Sequence, residues 1–77
     1  MNDLILYVKK NCPLCDEITA LIELFKSDYE MKFEEVDIET DEKLLERYML
    51  EVPVLYVNGE ELDYRSIDYL SIEKRLH

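Results

Sequence analysis

Apolar and polar positions along the chain change period several times, and each change marks an element. Leu4-Ile5-Leu6-Tyr7-Val8 is an unbroken apolar run of strand formers and predicts a central strand buried on both faces. Polar Lys9-Lys10-Asn11 ends that run and leads to Cys12. From Pro13 the apolar positions follow helical spacing through Leu14, Ile18, Leu21, Ile22 and Phe25, while Asp16, Glu17, Glu23 and Lys26 fall on the opposite face. Pro13 suits the first turn of such a helix, where its missing N–H loses no bond. Cys12 therefore falls at the helix N-terminus and Cys15 one turn inside it.

A second strand is predicted within Met31–Ile38, where Val36 and Ile38 alternate with Glu35, Asp37 and Glu39. Phe33 is out of phase with that alternation, which points to a bulge. Thr40-Asp41-Glu42 supplies a cap and acids for a short helix whose apolar stripe is Leu44, Leu45, Tyr48 and Met49. Two strand-like runs, Pro53–Val57 and Glu60–Tyr64, flank Asn58-Gly59, the favoured two-residue hairpin turn. Gly59 is the only glycine and suits a positive φ. Ser66 is the expected cap of a last helix that turns Ile67, Leu70 and Leu76 inward, with Lys74 and Arg75 near its C-terminus. Tyr7, Tyr48 and Tyr56 lie in apolar segments and are expected to be core or half-buried residues. The order is β-α-β-α-β-β-α. A right-handed crossover makes the first two strands parallel and the hairpin makes the last two antiparallel, giving an α/β fold with a mixed four-stranded sheet and three helices.

With 77 residues, the chain is expected to form a single domain over 1–77, its active site at the edge of one modest core. Nineteen acidic against nine basic residues leave a net charge of −10. That balance argues against nucleic acid and an anionic membrane surface as partners. Leu4–Val8 is far too short for a signal-peptide core or a membrane span, so the expected compartment is the cytoplasm and the expected state a monomer.

Only two cysteines are present, three positions apart. A loop that small constrains little of the unfolded chain, so a purely structural bridge is a weak explanation, and redox or metal chemistry fits the spacing better. Positions one helical turn apart place Cα atoms roughly 5–6 Å from each other, within disulfide range. Unpaired N–H groups and the positive end of the helix dipole favour a thiolate at Cys12, which makes Cys12 the attacking nucleophile and Cys15 the resolving thiol. Asp16, Glu17 and Glu51 oppose a further negative charge there, so only modest thiolate stabilisation is expected. No metal ligand set accompanies the pair, since the single histidine is His77. A hydrolytic cysteine is discarded for want of a base.

Cys12-Pro13-Leu14-Cys15 after a first strand, Val52-Pro53 before the third, and this element order together resemble the glutaredoxins. Asp16-Glu17 and the stretch Glu46-Arg47-Tyr48 to Val52-Pro53-Val54-Leu55 look most like the compact bacterial glutaredoxin-like subfamily. The resemblance implies a thioredoxin-like fold, a cis Val52-Pro53 bond beside the cysteine pair, and thiol–disulfide oxidoreductase activity on protein or mixed disulfides. Substrate contacts are then expected at Lys9, Pro13, Leu14, Val52 and Pro53. Lys9 matches a lysine that precedes the cysteines in many glutaredoxins. No bound cofactor is expected. Glutathione is one implied reductant, and a thioredoxin-reductase-like flavoprotein is the other. Glutathione-using glutaredoxins carry Gly-Gly and an acid where this chain has Asp63-Tyr64-Arg65-Ser66, and often threonine where it has Glu51; these changes disfavour an anionic tripeptide. An iron–sulfur or metal-binding dimer built on Cys12, and a non-catalytic acidic interaction module, are the alternative readings.

Overall fold

The chain runs through β1 (Asn2–Val8), α1 (Pro13–Phe25), β2 (Met31–Asp37), a 3₁₀ turn (Ile38–Thr40), α2 (Glu42–Tyr48), β3 (Val54–Val57), β4 (Glu60–Leu62) and α3 (Tyr69–Glu73). This is a computed structural model describing residues 1–77. The strands form one sheet in the order β2-β1-β3-β4. β1 pairs in parallel with β2 from Asn2↔Met31 to Val8↔Asp37. On its other side β1 runs antiparallel to β3, and β3 to β4. The mixed four-stranded sheet and element order expected from the hydrophobic pattern are both found.

The helices divide between the two faces of the sheet. On one face Leu4 and Leu6 of β1 pack with Ile18, Ile22 and Phe25 of α1 and Ile72 of α3. On the other, Ile38, Tyr48 and Val54 form a smaller cluster, with Tyr7, Leu44 and Leu45 against it. Each fully buried side chain of this size contributes about 1.5–3 kcal/mol. The larger cluster therefore supplies most of the burial energy, and it anchors α1.

Several local expectations change. Leu4 and Leu6 of β1 are fully buried on the α1 face, but Ile5 and Tyr7 on the opposite face are only half-buried, because one short helix covers it. β2 has no bulge; its register with β1 is unbroken. Phe33 and Met31 instead face the α1 cluster, and the apolar positions switch to the other face at Val36. Ile38 has left the strand for the 3₁₀ turn. Leu14 is 39% exposed and Met49 48% exposed, so the buried stripe of α1 begins at Cys15 and that of α2 ends at Tyr48.

The largest difference lies in α3. Asp68, not Ser66, is its cap and accepts the Ser71 N–H at 2.7 Å. Leu70 is 69% exposed and Ile72, about 200° around the helix from it, takes the inward position, while Ile67 and Leu76 pack against the same core cluster as expected. Asp41 does cap α2, accepting the N–H groups of Lys43 and Leu44. Asn58 and Gly59 have φ of 51° and 87°, the double left-handed conformation of a type I′ hairpin turn. No helix is long and apolar enough to cross a membrane.

Candidate redox site

β1 ends at Val8, and Lys9–Asn11 carries the chain over the sheet end to α1. Asn11 turns it with a φ of 57°, a conformation asparagine tolerates better than most residues. Cys12 follows in extended conformation as the N-cap of α1. Its Sγ takes the place of a capping oxygen, accepting the Cys15 backbone N–H at 3.1 Å. Pro13 occupies the first turn without wasting a donor. Cys12 and Cys15 are joined as a disulfide, with Cα atoms 5.2 Å apart. Cys15 is only 3% exposed, whereas Cys12 is half-buried and Leu14 beside it faces solvent.

The pair lines an open cleft of about 350 Å³. Lys9 and Lys10 border it, as do the carboxylates of Asp16, Glu35 and Asp37. Glu35 is held by the Thr19 hydroxyl, which donates to it at 2.9 Å. Asp37 accepts the Glu39 N–H at 2.9 Å, and Glu39 in turn accepts the Lys10 N–H at 3.3 Å. A larger hollow of about 500 Å³ lies at the far end of α1, between Met1, Lys26 and Tyr29. It contains no thiol, so chemistry rather than size selects the cleft.

Two further segments reach this end of the sheet. Tyr7↔Val54 is the last pair between β1 and β3, so Pro53 lies beyond it, at the end from which the Lys9–Asn11 loop departs. The Val52-Pro53 bond is cis, Pro53 is buried, and Val52 packs against the smaller core cluster. Leu62↔Leu55 closes the β3–β4 pairing and delivers Asp63 to the same end. The Asp63 carboxylate accepts the N–H groups of Arg65 and Ser66, both at 3.0 Å. Arg65 donates from Nε to the Tyr64 hydroxyl at 3.1 Å. That hydrogen bond, then the nearby charges of Asp63 and Glu51, hold the guanidinium even more firmly in its charged form.

Tyr7, Tyr48 and Tyr56 lie in or against the smaller core cluster. Tyr7 stacks on Tyr48 at 5.0 Å, and the Tyr48 and Tyr56 hydroxyls meet at 3.2 Å. Burial first, and then the Tyr56 hydroxyl, push the Tyr48 phenol far above the usual tyrosine range. It stays neutral and serves the core.

Of the residues marked in the sequence, Lys9, Cys12 and Cys15 share the cleft, Pro13 and Leu14 stand exposed at its helix, and Pro53 reaches the same sheet end with Val52 half-buried. Glu35 and Asp37 were read only as the polar half of a strand. Parallel pairing of Leu6 with Glu35 and Val8 with Asp37 brings them beside the cysteines. The parallel crossover was foreseeable, but its register was not.

Residues 3–77 match the family described as Glutaredoxin-like domain (DUF836). The chain belongs to that glutaredoxin-like family. Among solved structures this glutaredoxin-like chain is similar to protein XcR50 from X. campestris, with 32% identity over 92% of this chain and 91% of that one, at a TM-score of 0.75. It is also similar to protein Ne2328 from Nitrosomonas europaea, with 28% identity over 99% and 92% of the two chains and a TM-score of 0.81. A thioredoxin variant from Halobacterium salinarum NRC-1 shares the fold at 18% identity, covering 97% of this chain and 71% of its own, with a TM-score of 0.66. The architecture is thus the thioredoxin-like fold.

Proposed function

We propose that this glutaredoxin-like protein is a thiol–disulfide oxidoreductase in which Cys12 attacks and Cys15 resolves. The observation that carries the reading is the Cys15 N–H donating to Cys12 Sγ at 3.1 Å across the opening of a 13-residue helix. In the reduced protein that same donor and the helix dipole favour negative charge on the Cys12 sulfur. The more accessible sulfur is the one so favoured; the other is buried one turn away, where only a neighbouring sulfur can reach it.

The reduced pair starts the reaction. The Cys12 thiolate attacks one sulfur of a substrate disulfide, forming a Cys12–substrate bond and releasing the other substrate sulfur as a thiolate. Deprotonated Cys15 then attacks Cys12 Sγ, closing the intramolecular disulfide and releasing the second substrate thiolate. Two electrons pass from the protein dithiol to the substrate, and each leaving thiolate takes a proton from water. With Cα atoms 5.2 Å apart, closure needs little backbone movement. Lys9 adds positive potential near the attacking sulfur, Pro13 and Leu14 offer an apolar contact to the substrate chain, and Val52 and Pro53, toward the same end of the sheet, are the further substrate contacts of this reading. A donor, either glutathione or a reductase flavoprotein, restores the dithiol. The reducing cytoplasm is the compartment that suits this cycle.

The test is reduction of insulin or a small disulfide, driven separately by glutathione and by a thioredoxin-reductase system. Cys12→Ser is expected to lose turnover, and Cys15→Ser to accumulate a mixed disulfide visible by mass spectrometry. Wild-type turnover by Cys12→Ser would overturn the reading.

A further inference from the structure

Three tyrosines meet on the more thinly covered face of the sheet, each from a different element. Tyr7 belongs to β1, Tyr48 closes α2, and Tyr56 belongs to β3. Tyr48 is 3% exposed and is the buried residue of its helix. Its ring stacks on Tyr7 with centroids 5.0 Å apart and planes 23° from parallel, and Tyr7 meets Tyr56 edge-on at 5.8 Å. The Tyr48 and Tyr56 hydroxyls close the triangle at 3.2 Å. Aliphatic side chains here would bury apolar area alone; rings that stack, meet edge-on and pair their hydroxyls also fix orientation. What the triangle joins is the two chain segments of the proposed reaction. Tyr7 stands two residues before Lys9, where β1 gives way to the loop that carries Cys12. Tyr48 opens the connection that runs through Val52 and Pro53 to β3, and its carbonyl accepts the Glu51 N–H at 2.8 Å. The far end of that connection is pinned where Val54 pairs with Tyr7, and Val52 packs against the cluster that contains Tyr48. Tyr7 therefore holds both ends of the connection, one through its ring and the other through its backbone.

We infer that Tyr48 is a positioning residue: through its stack on Tyr7 and its hydroxyl contact with Tyr56, it sets where Val52 and Pro53 stand relative to the Cys12 loop. This rests on the oxidoreductase reading and on the substrate contacts that reading gives Val52 and Pro53. Tyr48 does not line the cysteine cleft, so it acts through that segment and not on the sulfurs. Its effect is confined to substrates with a chain long enough to meet the segment. A protein disulfide carries backbone on either side of each sulfur, whereas 2-hydroxyethyl disulfide ends two carbons from it. Displacing Val52 and Pro53 therefore slows the first and spares the second, and leaves the reactivity of Cys12 itself unchanged.

The experiment uses the whole protein, reduced beforehand and freed of reductant, in single turnover against insulin and against 2-hydroxyethyl disulfide, well below the unfolding temperature. In both cases the dithiol becomes the Cys12–Cys15 disulfide and the probe disulfide becomes two thiols, followed by alkylation and mass. The quantity read is the insulin rate divided by the small-probe rate. Tyr48→Leu is expected to lower that ratio about tenfold, within what a displaced positioning group costs, while the small-probe rate and the alkylation of Cys12 by iodoacetamide stay at the wild-type level. Tyr56→Phe removes only the hydroxyl contact and is expected to lower the ratio about threefold. Ile38→Val loosens the same buried cluster while keeping all three rings, and is expected to leave the ratio unchanged. An unchanged ratio in Tyr48→Leu, or an equal fall on both disulfides, would overturn the inference and leave the oxidoreductase intact. So would Ile38→Val lowering the ratio as far as Tyr48→Leu does, since loss of packing alone would then suffice. If Tyr48→Leu does not fold, the ratio in Tyr56→Phe decides by the same criterion. A wild-type protein that reduces neither disulfide would overturn the oxidoreductase reading, and this inference with it.

Discussion

At its N-terminal end β1 is closed by polar side chains. Asn2, 1% exposed, donates from Nδ2 to the carbonyls of Glu30 and His77, and its Oδ1 accepts the His77 N–H and the Asn58 amide. Asn58 adds a bond to the Arg75 carbonyl and exchanges a pair with Asp3. At its C-terminal end the same strand runs out into a loop, a helix cap made of sulfur, and an open cleft edged with carboxylates. One end joins the strand, the hairpin and the C-terminus through short bonds whose donors and acceptors match. The other leaves Cys12 half-buried at the edge of the cleft, with Cys15 buried behind it. The comparison teaches that stability and chemistry are kept apart along one strand: the chain's distant segments are tied together about one strand length from the sulfurs, by side chains with no chemistry of their own.

If that division is right, variants at the two ends have opposite effects. The largest is at the open end: Cys12→Ser removes turnover altogether while urea unfolding of the reduced proteins stays within about 0.5 kcal/mol of wild type, as for most partly exposed sites. A large loss of stability in that variant would break the comparison. At the closed end, Asn2→Ala strands the His77 N–H and Asn58 amide and is expected to cost about 2–3 kcal/mol in urea unfolding. Disulfide reduction at temperatures well below unfolding should then be unchanged; a matching fall in rate would show that the ends are not separable.

Smaller effects sharpen the picture along the chain. Gly59→Ala leaves space untouched, since nothing lies within 4 Å of the added methyl, so its cost is the left-handed backbone alone, about 1 kcal/mol by unfolding. Removal of the α2 cap by Asp41→Ala should cost about 1 kcal/mol, read the same way. The smallest effect is a pH dependence. The Ser71 N–H, and then the Ser71 side chain, lower the Asp68 carboxyl below its ordinary value in the folded protein. A depressed folded value means the contribution is present above the unfolded carboxylate range near pH 4 and is lost as pH falls through the folded value. Asp68→Asn keeps a capping oxygen and should flatten that acid limb of the unfolding curve; an unchanged limb would show that Asp68 contributes nothing to it.

Much of this was legible in the amino-acid order because the signals are local. Asp41 and the Asn58-Gly59 turn act within a few residues, and Cys12, Pro13 and Cys15 fix a helix start by themselves. Ser66 misled because Asp63 sits three residues before it and captures its N–H, so the chain turns there and the helix waits for Asp68. Phe33 looked like a bulge because β2 serves one face with Met31 and Phe33 and the other with Val36, which a single period cannot express.

The order of residues by itself determined the two periods, the caps, the hairpin and the pairing of two sulfurs across one helical turn, since each depends on atoms only a few bonds apart. The tertiary structure alone decided that Glu35 and Asp37 border the cleft, that Asn2 meets Asn58 and His77, and that Ile72 rather than Leu70 enters the core. Those contacts join segments distant in the chain, and their partners are set by strand register and by where a helix happens to begin. A one-residue slip of a strand would exchange its faces, and a different rotation of the last helix would put Leu70 where Ile72 lies, so no local pattern carries them.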